Sequence, residues 1–197
     1  MKRLFCLLTA LLCAAFVFAD AASFDVIGTV SEVPSGTTIM IDDFENGNYW
    51  IWAAFDMDMY GPAKISTSSR VSKKWASQGK QSLECRMAQA TPENSQSAMY
   101  YVDYHWNFSG GKYLVMDFYN PMDFAYNILC VFQCTDNWNW DQTNAYYVEP
   151  GKHTLVWDIS QFPAEDLAKV YRITISHGWG LTSAPGTFYV DNFRVIK

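Results

Sequence analysis

Apolar and polar residues alternate in short runs along most of this chain. Ser82 to Met87 shows the pattern cleanly: Leu83, Cys85 and Met87 share one face, and Ser82, Glu84 and Arg86 the other. Phe124, Tyr126, Ile128, Cys130 and Phe132 form a longer apolar stripe of the same period. A period of two is the signature of a half-buried strand. The same reading predicts strands over Thr38 to Glu45, Tyr49 to Trp52, Ala63 to Val71, Ala98 to Trp106, Lys112 to Tyr119, Ala145 to Val148, His153 to Ile159, Val170 to Ser176 and Gly186 to Ile196. Turn residues separate them: Asn46-Gly47-Asn48, Gln78-Gly79-Lys80, Ser109-Gly110-Gly111, Asn120-Pro121 and Glu149-Pro150-Gly151. Pro163 to Lys169 is expected to form one helical turn, and Asp136 to Asn144 a polar loop. Many short strands with turns between them predict an all-β fold, a two-sheet β-sandwich of the jelly-roll kind.

Two strands carry acids where a plain strand would not. On a regular period, Tyr189, Asp191, Phe193 and Val195 share a face. If that face is the core, Asp191 is a carboxylate among apolar side chains and needs a partner. Near the start, Ile39-Met40-Ile41 runs into Asp42-Asp43-Phe44-Glu45. If the first and last strands lie together, Glu45 and Asp191 are placed to share one hard cation. Calcium suits carboxylate and carbonyl oxygens in flexible geometry. The alternative is that Asp191 bonds only to backbone N–H groups at a strand end.

Composition sets the compartment and narrows the partners. Lys2 and Arg3 precede an apolar run from Leu4 to Phe18, with small residues at Ala19 and Ala21. Residues 1–21 therefore read as a secretory signal cleaved after 19 or 21, which predicts a secreted protein, extracellular or periplasmic. The apolar run is short for a membrane span. Residues 22–37 read as a lead-in strand or linker, and 38–197 as one sandwich domain. Cleavage after Ala19 removes Lys2 and Arg3, leaving 12 Lys and Arg against 20 Asp and Glu, a net charge of −8. That charge argues against nucleic acid and anionic membranes as partners. Of the five cysteines, Cys85, Cys130 and Cys134 remain after cleavage. Cys130 and Cys134 would lie about 13 Å apart on a regular strand, too far to bridge each other. Cys85 is left either bridged to one of them or, like them, a buried thiol.

Several of these motifs, in this order, carry a resemblance. Asp42-Asp43-Phe44-Glu45 with the following Trp50, Gly79-Lys80-Gln81-Ser82-Leu83, Tyr113 to Phe118, Trp157-Asp158-Ile159-Ser160 and Phe188-Tyr189-Val190-Asp191-Asn192 resemble the β-glucan-binding carbohydrate-binding modules of family eleven, which have a galactose-binding-like β-jelly roll. The resemblance spans about Thr38 to Ile196. It implies a structural calcium with Glu45 and Asp191 as side-chain ligands and carbonyls near Gly79 and Lys80 completing the shell. It also implies a concave sheet face that holds a sugar chain. One departure matters. The family's acidic, Tyr-bearing insertion after the Ser160 position is replaced here by Pro163-Ala164-Glu165-Asp166, so a mixed-linkage glucan preference does not carry over.

Sugar rings have apolar faces edged with hydroxyls, so a binding face needs flat exposed aromatics beside polar groups. The candidates are Trp52, Tyr101, Trp138, Trp140 and Trp179, with Asp117 and Arg172 as polar partners. Trp138 and Trp140 sit among Asn137, Asn139, Asp141 and Gln142, and Trp179 between two glycines; neither setting is a core composition. Trp50 and Trp157 are expected in the core. The expected function is non-catalytic binding of a neutral β-linked, glucan-like polysaccharide. The competing readings are a protein-contact or adhesion sandwich and a glycan-active enzyme of the same fold. The enzyme reading lacks support in sequence: three scattered histidines, and no Gly-x-Ser-x-Gly elbow.

Overall fold

A computed structural model describes residues 24–46, 53–57, 68–87, 97–177 and 185–197. The described residues form two facing sheets. The larger has seven strands. Its central strand is β13 (Gly186–Ile196), which pairs along one side with β7 (Tyr113–Asn120). Along the other side it pairs first with β5 (Ser82–Met87) and then with β2 (Thr38–Asp42). β4 (Ser68–Ser72) lies outside β5. β11 (Gly151–Asp158) lies outside β7, and β1 (Asp25–Gly28) runs parallel to β11 at the edge. The six-stranded sheet runs in the order β10 (Tyr146–Val148), β8 (Tyr126–Cys134), β12 (Val170–His177), β6 (Ser97–Trp106) and β3 (Ala53–Met57). β9 (Asn139–Gln142) also pairs with β8. A single helical turn, α1 (Ala164–Leu167), sits where Pro163 to Lys169 predicted it.

The two-sheet sandwich is therefore the fold that the alternation predicted. The core lies between the sheets, and its large side chains come from the apolar parities. Phe118 and Phe188 stack with centroids 5.1 Å apart, and Tyr100 meets Phe188 edge-on at 5.4 Å. Each such fully buried side chain stabilises the fold by roughly 1.5–3 kcal/mol. Trp157 is buried, as expected; its ring stacks on Tyr146 and its indole N–H donates to the Asn144 carbonyl at 2.8 Å. Cys85 on β5 and Cys130 and Cys134 on β8 are buried free thiols, which settles the alternative left open in sequence.

Two expectations change, and one falls outside the described residues. The stretch from Asp136 to Asn144 is not all loop, because Asn139–Gln142 folds back on β8 as β9. The strand expected over Tyr49 to Trp52 lies outside the described residues, and the strand that follows it is Ala53–Met57. The second change concerns Asp191. The pairing of β13 slips between Asp191 and Arg194, and Asn192 adopts a left-handed φ of 50°. This β-bulge inverts the parity. Phe188 and Val190 face the core before it, and Phe193 and Val195 after it. Asp191, opposite Asp117 of β7, thus points away from the core, on the outer side of the seven-stranded sheet.

Candidate functional site

The outer face of the six-stranded sheet is read from its registers, since paired residues on neighbouring strands point the same way. One row crosses it as Trp140, Gln133, Arg172 and Asp103, from β9, β8, β12 and β6. The next row runs Gln142, Val131, Thr174 and Tyr101. A third carries Leu129, Ser176 and Met99. Accessibility falls across these rows. Leu129, Ser176, Met99, Val131 and Thr174 are all buried, whereas Trp140 is 43% exposed. The open end of this face is therefore the end that carries Arg172 and its neighbours.

Arg172 organises that end. Its Nε and Nη2 donate to the two carboxylate oxygens of Asp103 at 2.5 and 2.8 Å. A bidentate pair of this kind fixes the plane of the guanidinium. The guanidinium carbon lies 4.2 Å from the centre of the Tyr101 ring and 5.3 Å from that of Trp138. Both distances lie within cation–π range. The Asp103 hydrogen bonds and charge hold the Arg172 pKa above its ordinary value.

The turn between β8 and β9 places Trp138. Thr135 and Trp138 both have left-handed φ values, 58° and 56°, and the Trp138 N–H closes the turn on the Thr135 carbonyl at 3.1 Å. A bulky residue in this conformation costs about 1–2 kcal/mol. Contacts hold it there: Trp138 meets Tyr171 edge-on at 6.4 Å, and the Tyr171 hydroxyl donates to Asp136 at 2.8 Å. That bond raises the Tyr171 pKa. Trp138 is nevertheless 48% exposed. Underneath, on the core side of β9, Asp141 lies beside Asp166 of α1, and Asn139 donates to Asp166 at 2.9 Å. Burial, then the charge of Asp166, pushes the Asp141 pKa up to about 6.

The structure thus brings together Tyr101, Trp138, Trp140 and Arg172 of the sequence candidates. Trp52 and Trp179 lie outside the described residues. Asp117 is not with them. It lies on β7, on the outer side of the opposite sheet, accepting hydrogen bonds from Ser77, Thr154 and Asn192. Sequence reasoning missed Asp103, Gln133 and Tyr171. Asp103 shares the parity of Tyr101 on one aromatic strand, and that was the available signal.

Glu45 and Asp191 both close on the segment 77–81, and β2 does lie against β13. Glu45 Oε1 accepts from the Lys80 and Gln81 amides at 2.6 and 2.7 Å. Asp191 Oδ2 accepts from the Ser77 and Gln78 amides at 2.7 and 3.0 Å, and Oδ1 from the Asn192 amide at 2.7 Å. Burial raises the Asp191 pKa, and these bonds work against it. A calcium shell needs six to eight oxygens. Here amide hydrogens occupy Glu45 Oε1 and both Asp191 oxygens, and among the described residues no group of three or more His, Cys, Asp or Glu could hold a metal. As arranged, the donor set does not fit calcium.

The comparison with solved structures finds the same two-sheet β-sandwich architecture. The chain is similar to a family 28 carbohydrate-binding module specific for non-crystalline cellulose, with 18% identity and a TM-score of 0.59 over 83% of this chain and 97% of that one. It is similar to the family 11 module of Clostridium thermocellum in complex with a β-1,3-1,4-mixed-linked tetrasaccharide, at 14% identity and a TM-score of 0.57, covering 83% and 97%. A third, the Caldicellulosiruptor saccharolyticus family 27 module in complex with mannohexaose, shows 14% identity and a TM-score of 0.56 over 82% and 98%. No family model matches the sequence, and no curated protein matches it. At these identities the likeness establishes the fold.

Proposed function

We propose that this protein is a non-catalytic, secreted carbohydrate-binding domain, and that a neutral β-linked polysaccharide lies across the open end of the six-stranded sheet. One observation carries the reading. Arg172 is fixed by Asp103 against Tyr101 and Trp138, in the row that holds Trp140, so flat rings and a planar guanidinium form a platform that is already in place. Rings of this kind stack on pyranose faces, while Gln133, Gln142 and Asp103 supply edge partners. Solved modules of this fold, in complex with glucan and mannan oligosaccharides, make the ligand class reasonable. The acidic charge of the chain disfavours an anionic polymer.

Stacking on each aromatic is worth about 1–2 kcal/mol by analogy with aromatic pairs and interface hot spots, so each loss weakens binding about five- to thirtyfold. Affinity electrophoresis through soluble glucan, mannan and xylan tests the reading. Retardation by one of them, lost in Trp138→Ala and Trp140→Ala, is expected. Unchanged mobility in all three, or equal retardation of parent and variants, overturns it. Release of reducing ends in the same samples would mark an enzyme instead.

A further inference from the structure

On the outer side of the seven-stranded sheet, far from the platform residues in register, lies a cavity of about 530 Å³. Its volume is that of an ordinary small-molecule site. The floor is polar and built. Asp117, which is buried, belongs to it, and its carboxylate accepts from Ser77 Oγ at 2.7 Å, Thr154 Oγ1 at 2.9 Å and Asn192 Nδ2 at 3.0 Å. Arg194 lies beside it. Its Nη1 donates to the Asn192 carbonyl at 2.6 Å, and none of the ion pairs among the described residues includes it. A partly buried guanidinium has five N–H donors, and the bond to the Asn192 carbonyl leaves most of them for whatever enters the cavity. Phe24, Val26 and Val33, from the segment that carries β1, add an apolar part to the lining.

Charge selects the ligand. Asp25 and Glu32 join Asp117 in lining the cavity, so three acids face one arginine, and an anion is disfavoured. Asp25 and Glu32 are exposed and screened by water, and on the floor Arg194 offsets the buried Asp117, so a cation meets no unpaired buried acid there. What remains is a neutral molecule with hydroxyls on its edges for Arg194, Asn192 and Gln78, and an apolar face for Phe24, Val26 and Val33. A pyranose has that construction. We propose that this cavity is a second sugar site, taking one or two neutral pyranose units rather than a chain. It shares the ligand class proposed for the other sheet but none of its residues, so each stands or falls alone.

Saturation-transfer NMR on the full chain tests this, with glucose, galactose, mannose and cellobiose as probes. At least one is expected to give a signal that persists in the Trp138→Ala/Trp140→Ala double variant. Val33→Trp, at a position already 38% exposed, should fill the opening without disturbing the core and abolish that signal. Arg194→Met should do the same. Polysaccharide retardation in gels should be unchanged in both. A signal that disappears in the tryptophan double variant, or that persists in Val33→Trp, overturns the second site and leaves the platform standing. No signal from any of the four sugars also overturns it. A signal from glucuronate alone, lost in Arg194→Met, would overturn the neutral class.

Discussion

The outer faces of the two sheets start from the same material, polar and aromatic residues on the non-core parity, and end in opposite states. On the seven-stranded sheet, outside the cavity beside Arg194, they are covered and satisfied by one another. Trp75 packs over Tyr119 and Tyr189, at 5.5 and 6.3 Å between ring centres, and is 9% exposed. Glu84 is buried and meets Arg70, Arg86 and Lys74. Burial alone would raise its pKa, but the Ser72 hydrogen bond and the arginines bring it down to about 2. On the six-stranded sheet, Trp138 and Trp140 remain uncovered beside a fixed arginine. The difference lies in the connections: the chain between β4 and β5 folds back over its own sheet, through Trp75 and Ser77. A polar residue on an outer face marks a binding site only where it keeps hydrogen-bonding capacity that the chain has not taken, as Arg194 does beside the satisfied Asp117.

Removing Asp117 should break the covered face hardest. Asp117→Ala strands Thr154 and Asn192 as donors and leaves Ser77 Oγ to Asp191 alone, and unsatisfied buried groups cost about 1–3 kcal/mol each. Urea denaturation should show a loss of about 3 kcal/mol, while polysaccharide retardation in gels stays at the parent level. A loss below 1 kcal/mol would mean that this face is held together some other way.

Trp138→Gly should separate the faces in the opposite sense. Glycine relieves the left-handed strain, worth about 1 kcal/mol, so the melting temperature should hold or rise. Binding should still fall about five- to thirtyfold. A variant that loses stability and affinity together would make Trp138 a structural residue.

A smaller effect is expected with pH. The folded-state pKa of Asp141, about 6, lies above the ordinary carboxylate value, so the protonated form favours the fold. Its contribution is fully present below about pH 4 and is lost as the pH rises through 6. Melting temperatures across that window should fall less steeply in Asp141→Asn than in the parent. Equal slopes would remove Asp141 from the account.

The smallest effect concerns metal. With amide hydrogens on Glu45 and Asp191, melting curves in calcium and in excess chelator should coincide. A higher melting temperature in calcium, abolished by Asp191→Ala, would show that segment 77–81 turns its carbonyls inward to build the expected shell.

Much of the architecture was legible because alternation is a local property. Ser82 to Met87 and Phe124 to Cys134 face as the pattern says, and Trp138 and Trp140 are as exposed as their neighbours implied. What failed was non-local or hinged on one residue. Asn192 in a left-handed conformation turns Asp191 to the outside, and nothing in the spacing of Tyr189, Asp191 and Phe193 announces the bulge. Asp117 reads as a polar partner on the same sugar face as Arg172, because parity does not say which sheet a strand joins. The Arg172–Asp103 pair spans 69 positions, beyond any local pattern.

The three thiols make the two sheets separately observable in time. Cys85 belongs to one sheet, and Cys130 and Cys134 to the other. Burial raises the pKa of all three, so neither thiolate nor access exists while the sandwich is closed. An alkylating reagent therefore records opening events. Peptide mapping of the labelled positions would show whether the sheets part as one unit or whether one loosens first.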